Sequence, residues 1–125
     1  MNEAIIIIGK GKTTLVKTLL NNFDKEQISC YTLKHIIKNR FGLNDIYNKK
    51  INVSNEEEFN IKMFRNNKWK SLIHSEKQFI DIRYKEPITE NINCNFIFIY
   101  DKLPDNINTK EINRLGIKIF NLNIV

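Results

Sequence analysis

Ala4-Ile5-Ile6-Ile7-Ile8-Gly9-Lys10-Gly11-Lys12-Thr13-Thr14-Leu15-Val16-Lys17-Thr18-Leu19-Leu20 decides the fold. The first five residues are apolar, four of them β-branched, with no polar alternation. Such a run is a strand covered on both faces, as in a parallel sheet. Gly9 and Gly11 interrupt it. Beyond them Leu15, Val16, Leu19, Leu20 and Phe23 recur at helical spacing and predict a helix from Lys12 to Phe23. A buried strand, a glycine turn and an amphipathic helix in that order gather backbone N–H groups at the positive end of a helix dipole, where an anion is stabilised.

Working outward, Ile28 to Thr32 reads as a short strand. Leu33, Ile36, Ile37 and Phe41 form a second helical stripe, with Gly42 as its stop. Asn55 followed by Glu56-Glu57-Glu58 has the form of a helix start, an N-cap residue with acids in the first turn. Phe59, Met63, Trp69, Leu72 and Ile73 continue that helix. Three apolar strands are expected at Phe79–Arg83, Phe96–Tyr100 and Ile117–Leu122, with a short helix from Thr109 to Leu115 between the last two. This alternation predicts one α/β layered domain over residues 1–125 with a mainly parallel sheet, and the short glycine loop between its first strand and helix makes the expected form a truncated three-layer P-loop NTPase-like domain.

A chain of 125 residues holds one core and leaves no room for large inserted subdomains. Ile, Asn and Lys, at 22, 19 and 16 residues, dominate the composition, and Ala4 is the single alanine. All three have A- and T-rich codons, so an AT-rich genome such as that of a virus, a phage or a low-GC bacterium is expected. The net charge of +6 favours anionic partners. Its lysines are scattered along the chain and Arg is scarce, so nucleic acid is the lesser expectation and nucleotide the greater. Cys30 and Cys94 stand far apart, and His35 and His74 have no ligand partner nearby, so neither a disulfide framework nor a zinc site is expected. The Ile5–Ile8 run is too short for a membrane span and has no signal-peptide flanks. A cytoplasmic location is expected, the host cytoplasm if the source is viral.

The chemistry is concentrated in Gly9, Lys10, Gly11, Lys12, Thr13 and Thr14. Gly11 allows close approach of an oxyanion, Lys12 would neutralise β/γ-phosphate charge, Thr13 would offer a hydroxyl to Mg²⁺, and Thr14 would support it. The usual Gly-x-x-x-x-Gly-Lys-Ser/Thr spacing is shortened, because only Lys10 separates Gly9 from Gly11. Asp81, in Phe79-Ile80-Asp81-Ile82-Arg83-Tyr84, is the expected second Mg²⁺ residue if its strand lies beside the loop. Arg83 would then reach phosphate; the alternative is an Asp81–Arg83 ion pair at a strand end. Asp101 is a weaker acid candidate, and Trp69 either stacks on a base or packs in the core.

Three blocks, taken in order, resemble the P-loop nucleotide kinases, and among them the deoxynucleoside monophosphate kinases of phages. They are the Ile strand with Gly11-Lys12-Thr13-Thr14, the segment Leu33-Lys34-His35-Ile36-Ile37 through Phe41-Gly42-Leu43 with Asp45 and Tyr47, and Ile80-Asp81-Ile82-Arg83-Tyr84 with Glu86. The resemblance implies ATP and Mg²⁺ as cofactors and transfer of phosphate to a deoxynucleoside monophosphate. Lys12, Asp81 and Arg83 would be the catalytic residues, Lys34 a substrate or phosphate contact, and Thr13 and Asp81 the metal residues. Two alternatives stand beside the kinase: a kinase fold that binds without turnover, and a minimal NTPase related to viral replication helicases. The last rests on Lys68-Trp69 before Ile80-Asp81, and on Phe96 to Pro104, which are similar to that group's Walker B and sensor segments.

Overall fold

In the computed structural model, which describes residues 1–123, the Ile run forms β1 (Ala4–Ile8) and α1 (Lys12–Leu20) follows after three residues. A 3-10 turn at Lys25–Gln27 leads to β2 (Ile28–Ser29), then α2 (Leu33–Lys38), α3 (Gly42–Ile46) and β3 (Ile51–Asn55). Next come α4 (Ile61–Phe64), α5 (Asn67–Ile73), β4 (Lys77–Ile80) and β5 (Ile88–Asn91). The chain continues through β6 (Asn95–Ile99), α6 (Thr109–Arg114) and β7 (Ile117–Asn121).

Five strands form one sheet in the order β2-β3-β6-β1-β7, and every neighbouring pair is parallel. Side-chain alternation along the strands divides the core in two. Ile7, Ile51, Val53 and Ile97 point to the face covered by α1, where Val16, Leu15 and Leu19 meet them. Ala4, Ile6, Phe96, Phe98 and Ile117 point to the other face, under α2, α3, α5 and α6. The result is a three-layer α/β arrangement.

The thicker layer is organised by Trp69. Its ring is wholly buried and meets Phe64, Phe96 and Phe98 edge-on at centroid distances of 5.4, 5.1 and 5.7 Å. Edge-to-face aromatic pairs add roughly 0.5–1.5 kcal/mol each beyond the area they bury. Trp69 is therefore a packing residue and offers no face to a base.

Several sequence expectations are corrected. The strand expected at Phe79–Arg83 stops at Ile80, and it pairs antiparallel with β5 in a separate two-stranded hairpin rather than joining the main sheet. The main sheet instead contains β3, which ends on Asn55 where a helix start is expected; the helical stretch begins only at Ile61 and is divided into α4 and α5. Gly42 opens α3 instead of closing α2; a Cβ there would stand 2.4 Å from the Ile36 carbonyl oxygen and 2.5 Å from that of His35. It is glycine because two helix ends meet at it. α1 ends at Leu20 and β2 after Ser29, both earlier than periodicity implies. No helix among the described residues is long and apolar enough to cross a membrane.

Candidate functional site

The carboxyl ends of parallel strands are where open α/β sheets bind ligands. Here the register places Asn55, Ile99, Ile7 and Phe120 in one row across β3, β6, β1 and β7. The residues just past that row form the candidate site: Glu56 after β3, Asp101 after β6, Gly9–Thr13 after β1, and Asn123 after β7.

Gly9 and Gly11 both have positive φ, +102° and +83°. They differ in what surrounds them. A Cβ on Gly9 would meet the backbone nitrogens of Asn123 and Leu122 at 2.9 and 3.0 Å, whereas one on Gly11 would meet nothing within 4 Å among the described residues. Gly9 thus lets the β7 turn pack against the loop, while Gly11 leaves open space in front of α1. The Asn123 carboxamide oxygen accepts from the Lys10 N–H at 3.1 Å, so that donor already has a partner.

Helices α2, α4, α5 and α6 each begin with a side chain accepting a first-turn N–H, from Thr32, Asn60, Asn66 and Asn108. α1, with Gly11 at that position, has no side-chain cap, and neither does α3, which opens after Phe41; α1 is the one of the two at the carboxyl edge of the sheet. Its first-turn N–H groups lack an intrahelical partner by construction and are free to face an anion. Lys12 leaves the first turn with its Nζ 3.4 Å from the Gly9 carbonyl oxygen and 3.6 Å from the Asp101 carboxylate. Thr13 lines the same small cleft, with Asp101 and Asn123. Thr14 is exposed one position further along α1.

Glu56 completes the edge. Its N–H donates to the Ile99 carbonyl, and its carboxylate accepts from the Leu33 N–H at 3.1 Å. Burial pushes its pKa above the ordinary carboxylate value, against the pull of that hydrogen bond. The same burial, with Glu56 nearby, raises the Tyr100 phenol.

Asp81 and Arg83 are not brought to this edge. Asp81 lies 3.5 Å from the Arg40 Nε. Arg83 makes a two-pronged contact with Asp45, at 3.3 and 3.0 Å, and lies over the Phe41 ring. Nor do the two pair with each other. Asp45 also meets His35, at 2.6 Å. Lys34 is exposed on the first turn of α2 and lines a separate groove. Sequence reasoning passed over Glu56, whose triplet with Glu57 and Glu58 looked like a helix start, and over Asn123, which carries no sequence signal.

Both ATP and Mg²⁺ can be tested against this geometry. The uncapped α1, the space before Gly11 and the Lys12 cation suit a phosphate group. No group of three or more His, Cys, Asp or Glu side chains able to hold a metal occurs among the described residues.

A family model described as a family of unknown function, DUF5906, matches residues 7–114. Solved structures of the C-terminal region of NrS-1 share the fold. One, in its A form without ligand, superposes with a TM-score of 0.66 at 24% identity, over 95% of this chain and 28% of that one. A second apo structure of that region gives a TM-score of 0.65 at 24% identity, over 97% of this chain and 30% of the other. The chain thus spans less than a third of the length of these neighbours. No curated protein matches the chain.

Proposed function

The chain belongs to the DUF5906 family, and we propose that it is a phosphate-loop nucleoside triphosphate-binding domain whose reaction is hydrolysis. The observation that carries this reading is the uncapped start of α1 with Lys12 beside it at the carboxyl edge of a parallel sheet. Lys12 would neutralise phosphate charge, and Thr13 and Asp101 would take the magnesium ion. The bound nucleotide supplies the phosphoanhydride. Glu56, past the end of β3 on the same sheet edge and outside the lining of the cleft, would accept a proton from water through the carboxylate oxygen that the Leu33 N–H leaves open.

Hydrolysis is preferred to phosphate transfer for a geometric reason. The kinase resemblance assigns substrate or phosphate contacts to Lys34 and Arg83, and Lys34 lines a separate groove between α2 and α4. Arg83 is moreover engaged by Asp45. The shortened loop, with one N–H already taken by Asn123, also supports a second reading as a binding module without turnover.

The test is a thermal melt with Mg²⁺ and ATP, followed by phosphate release. A ligand at about 100 times its dissociation constant stabilises by about 2.7 kcal/mol, which for a domain of this size raises Tm by about 10 °C. Lys12→Ala should abolish both the shift and the release. Release that requires an added deoxynucleoside monophosphate would restore the kinase. A shift without release would select the binding module. Absence of a shift with any nucleoside triphosphate refutes the proposal.

A further inference from the structure

Lysines that are scattered in the sequence converge in the fold. Lys34 and Lys38 are one turn apart on α2, about 6 Å along its axis, and face Lys62 from α4 across a groove of about 330 Å³. Lys68, from α5, closes the far end by donating to the Ile37 carbonyl at 3.1 Å. None of these four lysines makes an ion pair among the described residues. Asp81 lies 3.5 Å from Arg40 and its charge also acts on Lys68, while Glu56 accepts from the Leu33 N–H.

The remaining polar groups in the groove have the same bias. The Asn60 and Asn66 carboxamide oxygens are used as caps, accepting from the N–H groups of Lys62 and Lys68. What each presents outward is its NH₂ donor. A groove rimmed by ammonium and amide donors, with no Asp or Glu in its lining among the described residues, matches a ligand made of acceptors spaced along a chain.

An aromatic pair lies further round α2, outside the lining of the groove and on the side where His35 meets Asp45. Tyr31 stacks on His35, with centroids 4.8 Å apart and planes 18° from parallel. His35 follows Lys34 directly on α2, and Tyr31 is exposed. Cations that track a backbone beside a stacking platform are the elements of single-strand recognition. A base can stack on Tyr31 only if it is unpaired. We propose that the groove between α2 and α4 binds the phosphodiester backbone of single-stranded nucleic acid, with Tyr31 as a stacking platform beside it. This does not depend on the nucleotide reading of the Gly9–Thr13 loop.

The test is fluorescence anisotropy of the 125-residue chain with a labelled oligothymidylate of about 20 nucleotides, above the usual site size. Four phosphate contacts on a single strand give a salt slope of about −2.8, so raising salt from about 50 to 200 mM should weaken binding about fifty-fold. Replacing Lys34, Lys38 and Lys62 together by alanine should weaken binding at least ten-fold and reduce the slope by about 2. The same three as arginine should retain both. Alanine at the exposed Lys17, Lys25 and Lys118 removes equal charge elsewhere and should change affinity less than about three-fold. Tyr31→Ala should weaken binding with the slope unchanged. All these lysines are on the surface, and unchanged melting temperatures confirm folding. Four results would each overturn the proposal: no binding at 50 mM salt, equal loss in both alanine triples, equally tight binding of blunt duplex, or displacement of the oligonucleotide by polyglutamate at equal charge.

Discussion

Replacing Asn52 by alanine should cost about 3 kcal/mol, and the reason lies in how β2 ends. Asn52 is wholly buried on β3 and sits opposite Ser29 in the parallel register. Its carboxamide oxygen accepts from the Ser29 hydroxyl at 2.8 Å and from the Tyr31 N–H at 2.9 Å, while its NH₂ donates to the Tyr31 carbonyl at 2.8 Å. The side chain thus takes over the strand ladder where the backbone turns away, and hands the chain to Thr32, which caps α2. Removing it strands the buried Ser29 hydroxyl, at about 1–3 kcal/mol, whereas water can partly replace the two bonds to exposed Tyr31, at about 0.5–1.5 kcal/mol each. Urea unfolding reads the loss as a fall in midpoint of about 1–2 M at an ordinary slope. Because the orphaned Ser29 hydroxyl carries part of the cost, Ser29→Ala in the Asn52→Ala background should be nearly neutral, a coupling of about 1 kcal/mol. A loss below about 1 kcal/mol, or additive single and double variants, would refute this account of β2.

Gly42→Ala should destabilise by about 2 kcal/mol or more in thermal melts, since the new Cβ would meet two backbone carbonyl oxygens at 2.4 and 2.5 Å and neither can rotate away. Glu56→Gln keeps an acceptor for the Leu33 N–H but removes a charge that burial penalises, so phosphate release should vanish without loss of fold. Because the folded pKa of Glu56 is raised, its charge costs stability as pH rises through that value; the glutamine variant should match or exceed the parent at pH 7, and the difference should close below the unperturbed value of 4.5. At Asp45, burial opposes ionisation, but hydrogen bonds from Arg83, His35 and Asn44 outweigh it and hold the carboxyl low. Its contribution is therefore present above the unperturbed value of 3.8 and lost as pH falls through the lower folded value, so the stability gap between parent and Asp45→Asn in urea should narrow in that acid range.

The parts of the fold legible in the sequence were those where one physical signal dominates. β1, β6 and β7 are apolar runs, and α1 and α6 carry clean helical spacing, so each appears within a few residues of its expected place. β3 was illegible because Asn52 and Ser54 occupy the face toward the thicker layer, where apolar residues are expected. Both are buried all the same, and Asn52 is satisfied only by residues more than twenty positions away. With β3 hidden, the apolar Phe79–Arg83 run stands in for it, and the strand-end acid is sought at Asp81 although Glu56 and Asp101 are the acids that follow strands of the main sheet. The candidate acid was displaced because the strand carrying it was hidden by a buried polar side chain. The lysine groove escaped notice for a related reason: Lys34, Lys38, Lys62 and Lys68 lie on three helices, and their convergence exists only after folding.

The glycine motif itself divides under the same scrutiny. Gly9 would be required whether or not the loop binds anything, because the turn after β7 packs within 3.0 Å of where its Cβ would be. Its presence in the sequence is therefore no argument for a ligand. Gly11 is different: its φ of +83° favours glycine, yet no described residue packs against it, and it occupies the one position where a capping side chain would have satisfied the first turn of α1. Four other helices in the same chain carry such a side chain. What the motif offers an anion thus resides in Gly11-Lys12-Thr13, a segment that leaves the first-turn N–H groups uncapped at a sheet edge with a cation held beside Asp101. A shortened loop with that segment intact retains the electrostatics of an anion site while giving up part of its backbone cradle. For this reason the loop's affinity for phosphate should depend on Lys12 more heavily than in a full-length cradle, where many N–H groups share the charge.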